Sequence, residues 1–249
     1  MQQINPEDLI LNCHFDVTSA DTDMQARLRP GALVNFLIQS AIQSADSLGF
    51  GFRGLKQHQL FWVASRLNVE IYRPLKWYEK VMVETWPKDV DGLLYLRDFF
   101  VWDQNENIVA KATSGWLAVD LETKRPRKVD ELHSGLFTQL KDKFAFKDSP
   151  VKLPAMKDGM PFQFKSTYFD LDLNNHVTST RYIDWMMYTI PFDYHLKHYP
   201  KHLSINFMKE IKFDETIELY RHQESESQFH FDGIHSTSGS SAFRGIIEF

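Results

Sequence analysis

Asp170-Leu171-Asp172-Leu173-Asn174-Asn175-His176-Val177, followed by a run carrying Tyr182, Ile183 and Trp185, has a fainter copy earlier in the chain: Asp21-Thr22-Asp23, followed by Leu33, Val34 and Phe36. Asp23 and Asp172 lie 149 positions apart, and at that offset Leu33 meets Tyr182, Val34 meets Ile183 and Phe36 meets Trp185. Further on, Ser65…Glu70-Ile71 resembles Ser204…Glu210-Ile211, with Glu70 and Glu210 140 positions apart. Ordered self-similarity over such distances marks one structural unit made twice. Each copy reads as an extended entry, one apolar helix and several antiparallel strands, the pattern of a sheet that curls around a central helix.

The two helices are expected over Pro30–Leu48, opened by a proline suited to a first turn and closed by Gly49, and over Ser179–Ile190, ended by Pro191. The first carries Leu33, Val34, Phe36, Leu37, Ile38, Ala41, Ile42 and Ala45. These cover more than one stripe, so the helix should be surrounded rather than laid on a surface. Strands are expected over Phe61–Ile71, Lys80–Trp86, Leu93–Trp102, Ile108–Asp120, Ser204–Phe213, Thr216–His222, Gln228–His235 and Ala242–Phe249, with turn signals such as Asp91-Gly92 between them. Residues 122–160 are charged and proline-punctuated, and read as a linker with a short helix near Asp130–Lys141.

Composition narrows the function. The net charge of −5 argues against general nucleic-acid binding, which needs cationic surface. One cysteine, Cys13, excludes an internal disulfide and a cysteine-rich metal site. No apolar run reaches the roughly 18 residues needed to span a bilayer, and the start of the chain lacks a signal-peptide pattern. The expectation is a cytoplasmic protein with no membrane or nucleic-acid partner, no cofactor and no metal. Aromatic residues make up 14% of the chain, enough to line an apolar cavity as well as fill a core.

The segment from Asp170 to Val177 is the place for chemistry. If it is extended, Asp170, Asp172, Asn174 and His176 face one way and Leu171, Leu173 and Val177 the other. A carboxylate, an amide and an imidazole would then stand together where a helix begins, beside free backbone N–H groups that stabilise an oxyanion. A helix cap accounts for one or two of these residues, not for four. Strand parity on Ser204–Ile211 puts Asn206, Met208 and Glu210 on one face, which would set Glu210 as a carboxylate in apolar surroundings or, equally, as an exposed edge glutamate. Gly49-Phe50-Gly51-Phe52-Arg53-Gly54 matches G-x-G-x-x-G but follows a helix and leads into a strand, so a dinucleotide site is not expected. His195, His198 and His202 are read as surface histidines, because Pro200 breaks any helix that would align them.

Asp170-Leu171-Asp172-Leu173-Asn174-Asn175-His176-Val177 with Tyr182-Ile183-x-Trp185 resembles the signature of acyl-acyl-carrier-protein thioesterases of the plant plastid type and their bacterial relatives. Trp62-Val63-Ala64-Ser65-Arg66 and Trp86-Pro87 resemble that family's first-half strands. The resemblance covers most of the chain. It implies an α+β tandem (double) hot-dog fold, with a first domain over 1–145, a linker over 146–160 and a second domain over 161–249. It implies hydrolysis of fatty acyl thioesters of acyl carrier protein, ending fatty acid synthesis, with Asp172, Asn174, His176 and Glu210 as the catalytic group. Many plant members carry a cysteine after that glutamate; here the position is Ile211, so the carboxylates must carry the chemistry. In the first half Gln25 and Arg27 replace Asn174 and His176, so one active site per chain is expected. Alternatives are an acyl-CoA thioesterase, a hot-dog hydratase or dehydratase, and a non-catalytic acyl-thioester sensor. The chain could act as a pseudo-twofold monomer or as a homodimer. An acidic carrier protein would need a local basic patch, for which Lys124–Lys128, Arg27, Arg29 and Arg53 are candidates.

Overall fold

The computed structural model describes residues 5–129 and 135–249. Ten strands form one sheet: β1 (Leu11–Asp16), β2 (Leu60–Ile71), β3 (Lys80–Asp91), β4 (Leu94–Asp103), β5 (Ile108–Asp120), β6 (Phe162–Lys165), β7 (His202–Phe207), β8 (Thr216–Gln223), β9 (Gln228–His235) and β10 (Ser241–Glu248). The order is β1-β3-β4-β5-β2-β7-β10-β9-β8-β6. Each half thus repeats the same sequence of strands outward from the β2–β7 seam, where Leu67 pairs with Ile205 in antiparallel register. The seam makes one continuous sheet from two hot-dog halves.

The helices are α1 (Pro30–Ser47), α2 (Phe52–Gln57), α3 (Ser179–Tyr188) and α4 (Phe192–Lys197). The sheet presents period-two apolar faces to α1 and α3. Val81 and Val83 of β3, Phe99 and Val101 of β4 and Val69 of β2 close on Leu33, Val34 and Leu37 of α1. Leu219, Phe229, Phe231 and Phe243 do the same for Tyr182, Ile183 and Met186 of α3, with Tyr182 stacked on Phe243 at 4.7 Å between centroids. Both sets belong to one continuous buried cluster, so the halves share a core. Gly245 on β10 is needed for this approach, because a Cβ there would overlap Met186 Sδ. α1 runs 18 residues and α3 only 10. The extra turns of α1 carry a second cluster with no counterpart among the described residues, in which Ala45, Phe50, Leu55, Tyr95 and Phe137 surround Trp62.

The segment joining the halves crosses the outer face of the sheet as a strap. Ala145 N donates to Asp98 Oδ2 at 2.6 Å, and Lys88 Nζ donates to Phe146 O. Arg66 Nη1 reaches Pro150 O at 3.0 Å. Asn206 accepts from Leu153 N at 2.7 Å and donates to Val151 O at 3.0 Å. Met156 N donates to Asp232 Oδ2 at 3.1 Å, and His222 Nδ1 lies 2.9 Å from Asp158. β3, β4, β2, β7 and β9 therefore each offer the strap a polar side chain that satisfies its main-chain groups, and His222 of β8 meets the Asp158 carboxylate.

Three local expectations are corrected. The strand foreseen over Ser204–Phe213 stops at Phe207, because residues 208–215 turn away from the sheet and Asp214 adopts φ 66°. The loop at Gly51 leads into α2 before β2, not straight into a strand. In the linker, residues 130–134 of the expected helix lie outside the described residues, and 135–137 form only a short 3-10 turn. Two short edge strands, β1 and β6, and the short helices α2 and α4 carried too little periodicity to be foreseen.

Candidate active site

The segment from Asp170 to Val177 is not extended. It is a tight loop whose ends pair, Leu171 with Val177, and whose middle is organised by Asp172. Asp172 N donates to His176 O at 2.8 Å and Asn175 N to Asp172 O at 3.1 Å. Asp172 Oδ1 accepts from Asn174 N at 2.8 Å and from His176 N at 3.3 Å. Asn175 takes φ 61°, a left-handed conformation that asparagine tolerates. The alternating-face expectation for Asp170, Asp172, Asn174 and His176 is therefore wrong, because side chain–backbone bonds curl the segment before it can pair as a strand. Asp170 belongs to the scaffold: its Oδ2 accepts from Thr167 N at 2.7 Å and Thr167 Oγ1 at 2.6 Å, and its Oδ1 meets Arg181 Nε at 3.1 Å.

The loop nevertheless gathers the polar groups at one place. Val177 N donates to Ile211 O at 2.8 Å, and His176 pairs with Lys212 as an isolated bridge. These contacts fix residues 208–212 against the loop, and His176 Nε2 lies 3.2 Å from Glu210 Oε2. Glu210 also sees Lys212 Nζ at 3.7 Å from its other oxygen, and its side chain is 52% exposed. Its setting is a solvent-facing mouth and not the apolar pocket considered from strand parity. Asp172 and Asn174 are exposed, and Asn174 makes no side-chain hydrogen bond among the described residues. Beneath them the buried Tyr182 has its phenol pKa pushed up, first by burial and then by the charges of Asp172, Glu210 and Glu215. All three carboxylates thus project their field onto one spot at the start of α3. Thr178, the N-cap of α3, makes no side-chain cap bond; Arg181 N donates to Thr178 O at 2.9 Å, and the Ser179 and Thr180 amides make no hydrogen bond among the described residues, which leaves them open to a ligand oxygen.

The first half holds the same loop without the chemistry. Asp23 Oδ1 accepts from Gln25 N at 2.8 Å and Arg27 N at 2.9 Å, Ala26 takes φ 58°, Thr22 pairs with Leu28, and Arg27 pairs with Lys76. Leu28 N donates to Leu75 O as Val177 N donates to Ile211 O. These bonds match position 75 with 211 and 76 with 212, so Pro74 is the counterpart of Glu210. The Glu70–Glu210 echo is thereby corrected: Glu70 lies in β2 and pairs with Lys111 at 2.9 Å. Arg27 is also consumed. It bridges Asp23 at 2.8 Å, donates to His195 O at 2.8 Å and His198 O at 3.2 Å, and lies over the Tyr199 ring. The stretch around α4 plugs the first loop by holding the Arg27 guanidinium, and Arg29 donates to Ala20 O at 2.6 Å.

Among the described residues no group of three or more His, Cys, Asp or Glu is arranged to hold a metal ion. Cys13 is buried with its Sγ 2.9 Å from Gln43 Oε1. His195 is bonded to Met187 O, His198 stacks on Tyr194 and His202 lies in β7.

Residues 9–135 match the family model described as the acyl-ACP thioesterase N-terminal domain, and residues 155–249 the acyl-ACP thioesterase C-terminal domain. Oleoyl-acyl carrier protein thioesterase 2, chloroplastic, of Arabidopsis thaliana is 25% identical over 221 residues, covering 82% of this chain and 60% of that protein. The chain thus spans about three fifths of the length of this curated relative. An acyl-ACP thioesterase of Bacteroides thetaiotaomicron superposes with a TM-score of 0.85 at 26% identity, covering 99% of this chain and 100% of that one. The 12:0-ACP thioesterase of Umbellularia californica superposes with a TM-score of 0.84 at 23% identity, over 96% of each chain, and supports the fold.

Proposed function

The chain belongs to the acyl-ACP thioesterase family, and from that premise we propose that it hydrolyses fatty acyl thioesters of acyl carrier protein at the loop around Asp172. The observation that carries the reading is the contact of His176 Nε2 with Glu210 Oε2 at 3.2 Å, formed beside Asp172 at the open end of α3. A carboxylate–imidazole pair, a second carboxylate and unpaired helix amides are the parts that a metal-free acyl transfer to water requires.

The thioester carbonyl binds with its oxygen at the first amides of α3. Asp172, its charge held in place by two main-chain N–H groups, either adds to the carbonyl carbon and expels the thiolate, giving an anhydride that water then cleaves to the fatty acid and the free carboxylate, or takes a proton from water as the hydroxyl adds and the C–S bond breaks. Glu210 orients the water or receives its proton, and His176, paired to it, passes a proton to the departing thiolate. Asn174 orients the substrate through its free amide. The products are a free fatty acid and the carrier thiol. The first half, whose loop is plugged, lends acyl-pocket walls.

The domain division into 1–145, 146–160 and 161–249 is carried in the same proposal, as is a role in fatty acid biosynthesis. So are a cytoplasmic location, suggested by a single cysteine held as a buried thiol, and action as a monomer, because one chain already supplies the paired halves; a homodimer is the other possibility.

The test is thiol release from a panel of acyl carrier protein thioesters of increasing chain length, beside the matching coenzyme A esters, with Asp172→Asn as control. Asparagine keeps the oxygen that accepts the two loop amides, so the fold persists while the charge is lost. Cleavage of carrier esters by the native chain and at least a hundredfold loss in the variant is the expected outcome. Equal or faster cleavage of coenzyme A esters would reassign the carrier, and normal rates in Asp172→Asn would remove the mechanism.

A further inference from the structure

The two halves brace the segment behind the active loop with different chemistry. In the first half, Arg73 lies 2.9 Å from Glu79 Oε2 and 2.7 Å from Asp103 Oδ2, an ion triad that ties residues 73–79 to the end of β4. β3 pairs Val81 with Asp103, and β8 pairs Ile217 with His235. The spacing that matches Leu75 with Ile211 also matches Val81 with Ile217, Glu79 with Glu215 and Arg73 with Lys209. His235 therefore stands where Asp103 stands.

The triad is replaced, not repeated. Lys209 turns aside to Ser240 Oγ at 3.2 Å. Glu215 Oε2 accepts from Lys212 N at 2.8 Å and lies 3.6 Å from His235 Nδ1. Ser166 Oγ accepts from Glu215 N at 3.1 Å and donates to Lys212 O at 2.5 Å. His235 is buried, its Nε2 makes no hydrogen bond among the described residues, and the main chain of Glu210 is near enough to act on the ring. Burial lowers its pKa and Lys209 adds to that, against Glu215 and the Glu210 carbonyl. A triad bridge in the half without a site has given way to a buried histidine beside Glu215, whose carboxylate holds Lys212 N next to the residue that meets His176.

We infer that His235 is a positioning residue, which through the Glu210 main chain and Glu215 sets the Glu210 carboxylate against His176. The inference rests on the role proposed for Glu210. A displacement of about 1 Å at a reacting group is enough to cost up to a hundredfold in rate.

A double-mutant cycle on carrier-thioester turnover tests it, with folding followed by near-ultraviolet circular dichroism and thermal midpoint. His235→Leu is expected to lower kcat about ten- to a hundredfold with KM changed by less than about twofold. His235→Gln, long enough to donate to the same carbonyl, restores most of the rate. His235→Asn, polar but too short, does not, and supplies the comparison should the leucine variant fail to fold. In a Glu210→Gln background the His235 substitutions should cost nothing further. An equal loss in both backgrounds, or a full rate in His235→Asn, overturns the inference while leaving Glu210 in place. Normal turnover by Glu210→Gln overturns the proposed role of Glu210 and this inference with it.

Discussion

Pro74 and Glu210 occupy the same point in the two halves, each immediately before the residue whose carbonyl ties down the active loop, Leu75 O to Leu28 N in one and Ile211 O to Val177 N in the other. Two residues further on, Lys76 and Lys212 bridge to Arg27 and His176. One half therefore opposes a ring without a donor to a guanidinium already bound by main-chain oxygens, and the other opposes a carboxylate to an imidazole at 3.2 Å. The loop is the same; the pairs Pro74 and Glu210, Arg27 and His176, and Gln25 and Asn174 separate scaffold from site.

Because the His176–Glu210 contact is partly exposed, breaking it should affect rate far more than stability. Glu210→Gln and His176→Gln are each expected to lower kcat/KM by about a hundredfold or more, with thermal midpoints near that of the native chain. Steady-state kinetics beside calorimetry checks this, and a large stability loss with retained turnover would contradict it.

Arg27 acts as a clamp between the halves, with two carbonyls and a carboxylate on one guanidinium. Arg27→Ala leaves half-buried acceptors without a donor and should destabilise the chain by about 1–3 kcal/mol, measured by urea denaturation. The same substitution should create no second active site, since Pro74 supplies no carboxylate.

Gly245 lets Met186 approach β10. Gly245→Ala forces α3 outward or Met186 into another rotamer, at about 1–3 kcal/mol. The thermal midpoint should fall, and α3 carries the amides of the site, so kcat should fall with it. An unchanged midpoint would show that the Met186 side chain yields without cost.

His235 and His202 are both lowered from 6.5 by burial, against opposing attraction from Glu215 for the first and from Glu248 and Glu70 for the second. Folding therefore favours the neutral rings. The unfolded chain binds more protons once the pH drops below about 6.5, so stability is full above that value and is lost as the pH falls through the lowered folded-state values. Denaturation followed from pH 7.5 to 5 should show this decline. His202→Gln should flatten part of it; a slope of opposite sign would contradict the burial of these rings as neutral groups.

Asn206 is buried on β7 and holds the strap by both ends of its amide. Asn206→Leu strands Val151 O and Leu153 N and should cost about 2–4 kcal/mol. Limited proteolysis should then cut within 148–156 before it cuts elsewhere, and uniform resistance would show that the strap is held by its remaining contacts.

What the sequence determined by itself was whatever depends on local period and local bonding. The buried character of α1 follows from apolar residues on more than one stripe, and the duplication follows from Asp23 and Asp172 at one offset. Asp172, Asn174 and His176 stand out together in the sequence because they lie within five residues. Their geometry was misjudged because Asp172 can bond its own loop amides, and alternation alone does not weigh that competitor against a strand. Pairings between distant segments were decided only by the tertiary structure. Glu210 was matched to Glu70 by a short likeness of letters, while the main-chain bonds at Leu75 and Ile211 match it to Pro74. Nothing local in Gln228–His235 marks His235, whose setting comes from β8, the 208–215 loop and the shared core closing around it. Long-range contacts carry no period along the chain, so such residues become visible only when packing brings the segments together.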